Sequence, residues 1–197
     1  MEKGALQEVS FPQQKSPSPK LLTPNLQTIG IYRLSDKFQF TVSNKKGVSS
    51  MKKLLVSACL LGCRCRYDGK SCANKSVIAL KDTYELIPVC PEQLGGLCTP
   101  RNPSERKNGG VYMNDGTDVT DAYNKGAEQA LYLARTLGAE KALLKAKSPS
   151  CGKGLIYDGS FTGKKIPGNG VTAELLLENG IEVYTEDEID LISEENA

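Results

Sequence analysis

The 197-residue sequence contains no histidine. A chain without His has no Ser-His-Asp triad, no Cys-His dyad and no imidazole general base. It also has no His ligand for zinc, so a protein-bound metal would have to use thiolate or oxygen ligands. Acid–base chemistry must therefore fall to carboxylates, Lys, Tyr or Cys.

Long apolar segments and a strong charge of one sign are also missing. No apolar stretch approaches the roughly 20 residues that a bilayer-spanning helix needs, and the N-terminus lacks the continuous apolar segment of a secretory signal. The composition, 39% hydrophobic and 24% charged with a net charge of +2, is that of an ordinary globular protein. No nucleic-acid-binding motif or basic stripe is present. We expect a cytoplasmic protein without a membrane or nucleic-acid partner.

The first 50 residues differ in composition from the rest. They contain no Cys, and four prolines fall between residues 12 and 24. Such a segment buries too little apolar surface to offset the conformational entropy lost on folding. We expect residues 1–50 to be a disordered extension, or an untranslated one if Met51 is the natural start. A strand pair within residues 28–42 is the alternative, and residues 51–197 are expected to form one α/β domain.

Four short apolar segments in residues 51–197 are predicted to be strands. They cover residues 53–58, 84–89, 141–146 and 181–184. Helical patterns lie between them, and alternating strands and helices are typical of an α/β domain with right-handed crossovers. The sequence therefore predicts a mainly parallel sheet of about four strands.

The helices are predicted from apolar spacing and from capping residues. An apolar stripe with helical periodicity predicts a long helix with its N-cap at Asp118 and its end at Gly138. Thr185 and Glu188 have the spacing of a capping box for a C-terminal helix. Two shorter helices are predicted over residues 76–81 and 172–178.

Three of the seven cysteines follow predicted strands directly or within a few residues: Cys59, Cys90 and Cys151. In an open parallel sheet, ligands bind outside the carboxyl ends of the strands. Because neighbouring strands lie about 4.8 Å apart, the three thiols are expected at one edge of the sheet, within reach of one small cluster.

Several kinds of thiol site fit seven cysteines. An odd number without an export signal disfavours a disulfide framework. Cys72 and Cys98 are predicted to be buried core thiols. The segment 63–65, Cys-Arg-Cys, lacks the two-residue gap of a zinc knuckle. An iron–sulfur cluster needs only thiolates, which can be far apart in sequence, and it fits the three strand-end cysteines best.

Seven short motifs then connect the chain to a known family. They are SACLLG (57–62), CRYDG (65–69), PVCPEQLGGL (88–97), TPR (99–101), DVT (118–120), LLKAKSPSCG (143–152) and IYDGSFTGK (156–164). In this order they resemble the DUF523 family, which includes the iron–sulfur-dependent thiouracil desulfidases. The resemblance covers residues 52–186 and none of residues 1–50.

This resemblance implies a Rossmann-like three-layer domain with a [4Fe-4S] cluster bound by Cys59, Cys90 and Cys151. One iron would then have no protein ligand. Cys65 is also part of a family motif and is the alternative ligand. The resemblance further implies that Glu92 is the catalytic acid/base and that Ser148 assists it.

The implied activity is hydrolytic, non-redox removal of sulfur from a thiolated nucleobase such as a free thiopyrimidine. The accessible iron would bind the sulfur as a Lewis acid, water would attack the ring carbon, and sulfur would leave as hydrogen sulfide. Two alternatives remain: a redox sensor with a closed four-Cys cluster that includes Cys65, and a structural zinc protein. Glu92 as a surface acid and Ser148 as a turn residue are the alternatives for these side chains.

Overall fold

The computed structural model describes residues 51–194, so the predicted extension and its hairpin alternative lie outside the described residues. In this range the elements are β1 Lys52–Ser57, α1 Lys75–Ala79, β2 Tyr84–Val89, α2 Pro91–Leu94, β3 Ser104–Lys107, β4 Gly110–Met113, α3 Thr120–Leu137, β5 Ala139–Leu144, β6 Leu155–Tyr157, β7 Lys165–Pro167, α4 Val171–Glu178, β8 Glu182–Thr185 and α5 Ile189–Glu194. Short 3₁₀ turns cover Ala58–Leu61, Leu80–Asp82 and Glu186–Glu188. None of the helices in this range has the length and apolar character needed to cross a bilayer.

The central sheet is parallel and has the strand order β2-β1-β5-β8. Leu55 of β1 pairs with Ile87 of β2 on one side and with Ala142 of β5 on the other. Ala142 in turn pairs with Val183 of β8. The predicted four-stranded parallel sheet is therefore confirmed.

Alternate side chains of the strands form two cores, one on each face of the sheet. Leu55 and Ala142 point to the face covered by α3 and α4, where they join Ala134 and Leu176. Residues one position along the strands pack on the other face, against α1 and α5. This is the period of two expected for a strand buried on both faces. The result is a three-layer Rossmann-like domain.

The ends of the long helix lie within one residue of the predicted ones, but its N-cap is Val119 and not Asp118 as predicted. Helix α3 begins at Thr120, whose N–H donates to the Asp118 carboxylate at 2.9 Å, and it ends before Gly138, which has a φ of 75°. The capping box at Thr185 and Glu188 is present, but it first forms a 3₁₀ turn and α5 follows. Strand β5 ends at Leu144, earlier than predicted, because the Lys145 N–H donates to the Ser57 hydroxyl.

Two small hairpins and helix α2 were not predicted from the sequence. Strands β3 and β4 pair antiparallel, as do β6 and β7. Their sequences, such as Ser-Glu-Arg-Lys in β3, lack the alternation of a half-buried strand. Both hairpins contribute residues to the cavity described below.

Helix α2 is held against α3 by contact between backbones. A Cβ atom on Gly126 of α3 would lie 2.0 Å from the Pro91 carbonyl oxygen, and one on Gly95 would lie 1.9 Å from the Ala122 carbonyl oxygen. Neither position has room for a side chain. This close packing fixes the short helix that carries Glu92.

Candidate active site

A cavity of about 570 Å³ lies at the carboxyl ends of the central strands. Ser57 at the end of β1, Val89 at the end of β2 and Lys145 after β5 line it. Ser104 and Glu105 of the first hairpin and Tyr157 and Phe161 of the second also line it. The cavity therefore has the position expected for a ligand site in an open α/β sheet.

The three cysteines predicted from the strand ends all line this cavity. Cys59 lies in the 3₁₀ turn after β1, Cys90 is the N-cap of α2 directly after β2, and Cys151 lies in the loop after β5. Cys59 and Cys151 are buried. The structure thus brings the three thiols to one edge, while their role as ligands stays a prediction.

Cys65 is a fourth thiol in the cavity, and it is buried. Its hydrogen bond with Cys59 is the main reason that its pKa is raised to about 11. Its hydrogen bond with Cys90, together with burial, raises the pKa of Cys90. The Cys90 thiol also donates to the Cys65 carbonyl oxygen at 3.8 Å. Cys65 is therefore in contact with two of the three predicted ligands.

Burial dominates the environment of Cys151 and raises the pKa of its thiol to about 12. Hydrogen bonds with Ser57 and Ser150 partly oppose this effect. Buried thiols with raised pKa values stay protonated unless a positive partner compensates the thiolate charge. A metal centre supplies such a charge and deprotonates its thiol ligands, so the donor set fits an iron–sulfur cluster.

The other three cysteines do not line the cavity. Cys63 and Cys98 are exposed and Cys72 is half-buried, and all seven cysteines are free thiols. The prediction that Cys98 is a core thiol is wrong, because its neighbour Leu97 packs against the core and Cys98 does not. Within residues 51–194, no three Cys, Asp or Glu side chains lie close enough to hold a single metal ion.

Glu92 is in the first turn of α2 and forms an ion pair with Arg101. The Nη2 and Nε atoms of Arg101 lie 2.6 and 2.8 Å from Oε2 of Glu92. The Arg101 side chain is only 3% exposed. It also donates to the carbonyl oxygens of Cys65 and Cys98 and to the Thr99 hydroxyl. Arg101 thus connects Glu92 to the loop that carries Cys65.

Two further polar side chains lie near Glu92. Burial and then the Glu92 carboxylate raise the pKa of the Tyr123 phenol. Ser104 lines the cavity, and its buried hydroxyl has no hydrogen-bond partner of normal geometry within the described part of the chain. Neither residue was predicted, because Tyr123 fits the apolar stripe of α3 and Ser104 is in none of the seven motifs.

Ser148 lines the cavity and also stabilises the loop that carries Cys151. Its hydroxyl oxygen accepts the N–H groups of Ser150 and Cys151, both at 3.2 Å. A hydroxyl has two acceptor lone pairs and one donor. Since both lone pairs are used, the O–H is left for a further partner. Ser148 is therefore a turn residue, as the alternative interpretation expected. The same two bonds orient its hydroxyl as a donor.

Comparisons with known proteins agree with this geometry. The family model described as 2-thiouracil desulfurase matches residues 54–188. An uncharacterized protein of Bacillus subtilis (strain 168), YbbK, is 42% identical over a match of 146 residues, with coverage of 69% of this chain and 97% of that protein. A solved structure of the [4Fe-4S]-dependent thiouracil desulfidase TudS is 44% identical, with a TM-score of 0.69, and the match covers 72% of this chain and 95% of that one. The chain belongs to the 2-thiouracil desulfurase family, DUF523.

Proposed function

We propose that this protein is a [4Fe-4S]-dependent desulfidase that hydrolytically removes sulfur from a thiolated pyrimidine. One observation carries the proposal: four thiols and the Glu92–Arg101 ion pair line a single cavity at the sheet edge. The family match and the similarity to TudS support the same activity. A reduced, cytoplasmic setting suits a protein with seven free thiols.

Cys59, Cys90 and Cys151 would hold the cluster. When bound, the cluster supplies a Lewis acid for the sulfur of the substrate, provided that one iron has no protein ligand. The three thiols come from three different strand ends and face the same cavity. They are buried or half-buried, which shields the site from bulk water.

Glu92 is proposed to accept the proton of the attacking water. A general base must lie within hydrogen-bond reach of the proton that it abstracts, and Glu92 faces the cavity. Arg101 compensates its charge and binds only Oε2, so Oε1 has no bond to the guanidinium. The Ser148 O–H would donate a hydrogen bond to the attacking water or to the nucleobase substrate.

The overall reaction balances without an oxidant or a reductant. A thiocarbonyl and water give a carbonyl and hydrogen sulfide, so the C–S bond breaks and a C–O bond forms. The protons of the water end on sulfur, through Glu92 as the acid/base group. Thiolated uracil and its oxo product are neutral small molecules of a size that a cavity of about 570 Å³ accommodates.

The position of Cys65 favours one second candidate. A fourth thiolate would close the coordination of the cluster, and Cys65 contacts both Cys59 and Cys90. A closed four-Cys site would be suited to redox sensing, since no iron would be free to bind sulfur. Iron retention in a Cys65→Ala variant separates the two candidates.

The test uses the full chain, purified and reconstituted without oxygen. Iron and sulfide content and the visible absorption report the cluster, and loss of the ultraviolet band of 2-thiouracil with release of hydrogen sulfide reports turnover. Glu92→Ala should keep the cluster and lower kcat by about 10²–10⁴-fold. Glu85→Ala, at an exposed acid of β2, is the matched control. A fully active Glu92→Ala variant would contradict the role of Glu92, and a chain without iron would contradict the cluster.

A further inference from the structure

Phe161 is held in an unusual conformation at the edge of the cavity. It lies in the loop between β6 and β7, lines the cavity and is 39% exposed. Its φ is 57°, in the left-handed region that bulky side chains seldom adopt. Such strained residues persist only where the surrounding structure fixes them, and they are concentrated at functional sites.

A buried carboxylate fixes this loop. Oε2 of Glu105, on β3, accepts the N–H groups of Gly159 and Phe161 at 2.9 and 3.0 Å. Glu105 is 8% exposed and lines the same cavity. In the same part of the loop, the Asp158 carboxylate accepts the Ser160 N–H at 3.0 Å. Hydrogen bonds thus fix the backbone of Phe161 and of the two residues before it.

The ring of Phe161 differs from the other aromatic rings at the cavity. The guanidinium of Arg66 lies 5.6 Å from the Tyr67 ring centre, and the ammonium of Lys165 lies 5.8 Å from that of Tyr157. Among residues 51–194, no cation is placed in this way over Phe161. An exposed apolar ring therefore lines a cavity whose other walls carry thiols, carboxylates, basic side chains and hydroxyl groups.

We propose that Phe161 is the aromatic face on which the planar ring of the substrate stacks. Nucleobases stack on aromatic side chains whatever their hydrogen-bonding pattern. This contact would orient the thiocarbonyl toward the thiol-lined side of the cavity, and it makes Phe161 a determinant of specificity for heteroaromatic substrates. The inference rests on the proposed function, because it takes the ligand to be a thiolated base.

The test compares substitutions at Phe161 in the reconstituted full chain. Phe161→Leu keeps an apolar side chain but removes the aromatic face, and it should raise KM for 2-thiouracil about 10-fold with little change in kcat. Phe161→Trp should keep KM near the wild-type value. The controls are Tyr132→Leu and Tyr132→Trp, because Tyr132 is a 63% exposed aromatic residue outside the cavity lining. Iron content and thermal midpoint show whether each variant is folded.

A second measurement does not depend on turnover. The natural chain has no Trp, so Phe161→Trp introduces the only indole. Titration with uracil, the oxo product, should change the emission of this indole. The dissociation constant from the titration should equal the inhibition constant of uracil in the activity assay. The emission of Tyr132→Trp should not respond.

The outcomes distinguish this inference from the function on which it rests. Wild-type protein that carries the cluster but leaves 2-thiouracil unchanged would overturn the proposed function. Folded Phe161→Leu with wild-type KM and wild-type affinity for uracil would overturn the stacking role alone. An emission of Phe161→Trp that does not change on addition of uracil, although uracil inhibits the same variant, would also overturn the stacking role.

Discussion

Two guanidinium nitrogens of Arg101 contact a single oxygen of Glu92, at 2.6 and 2.8 Å from Oε2. The pair is nearly inaccessible to solvent, with the Arg101 side chain 3% and the Glu92 side chain 15% exposed. In such a position each charge depends strongly on the other, because little water reaches the pair. The catalytic carboxylate proposed above is thus one half of a buried ion pair.

Arg101→Ala should destabilise the protein by about 3–5 kcal/mol, because Glu92 would keep a buried charge without its partner. Chemical denaturation of the reconstituted protein measures the free energy of unfolding. The double variant Arg101→Ala with Glu92→Ala should recover part of the loss, since it removes the uncompensated carboxylate. A double variant no more stable than Arg101→Ala would show that the lost bonds of Arg101 to the backbone, and not the uncompensated carboxylate, dominate.

The four cavity thiols should differ in their effect on cluster binding. Cys59→Ala, Cys90→Ala and Cys151→Ala are each expected to lose most of the iron after reconstitution. Cys65→Ala should retain it, because the proposed cluster has three protein ligands. Cys63→Ala, at an exposed thiol two residues away, is the control. Loss of iron from Cys65→Ala would instead support the closed four-Cys site.

Glu188 should make a stabilising contribution that depends on pH. Partial burial alone would raise its pKa, but hydrogen bonds from Lys153 and from Thr185 outweigh burial, and the pKa lies below its usual value of 4.5. The contribution is therefore fully present above pH 4.5 and is lost as the pH falls through the lower pKa of the folded state.

Glu188→Gln measures this contribution. At pH 7 it should lower the free energy of unfolding by up to about 1 kcal/mol, the usual magnitude of a helix cap. The difference from the wild type should shrink as the pH falls below 4.5, when Glu188 of the wild type also becomes protonated. Glu178→Gln, at an exposed acid at the end of α4, should give no such trend. A difference that is independent of pH would exclude the titration of Glu188 as its cause.

The sequence was most informative about the parallel sheet and the cysteines at its edge. Apolar segments such as residues 84–89 are short and lie between helical patterns, so the parallel direction of the strands and the edge that carries the site follow from the rules of α/β folds. Cys59, Cys90 and Cys151 lie at the cavity because each follows its strand closely. For the strands and these three cysteines, the local sequence pattern and the tertiary structure agree.

Other parts of the site depend on contacts that no sequence pattern encodes. The pairing of Arg101 with Glu92 requires the loop after α2 to fold back, and Arg101 alone is equally compatible with a surface residue. Phe161 reaches the cavity through a short hairpin without strand periodicity, whose loop depends on Glu105 in a different hairpin. Such positions are set by tertiary structure.

The strand-end position of the thiols has a consequence for the order of events during folding. Cys59, Cys90 and Cys151 follow three strands of the central sheet, and β1 lies between β2 and β5 in that sheet. A ligand that requires all three thiols can bind only after β5, the last of these strands to be synthesised, has paired with β1. Loading of such a ligand would therefore report that the β2-β1-β5 part of the sheet has formed, and a chain interrupted before Cys151 could not acquire it.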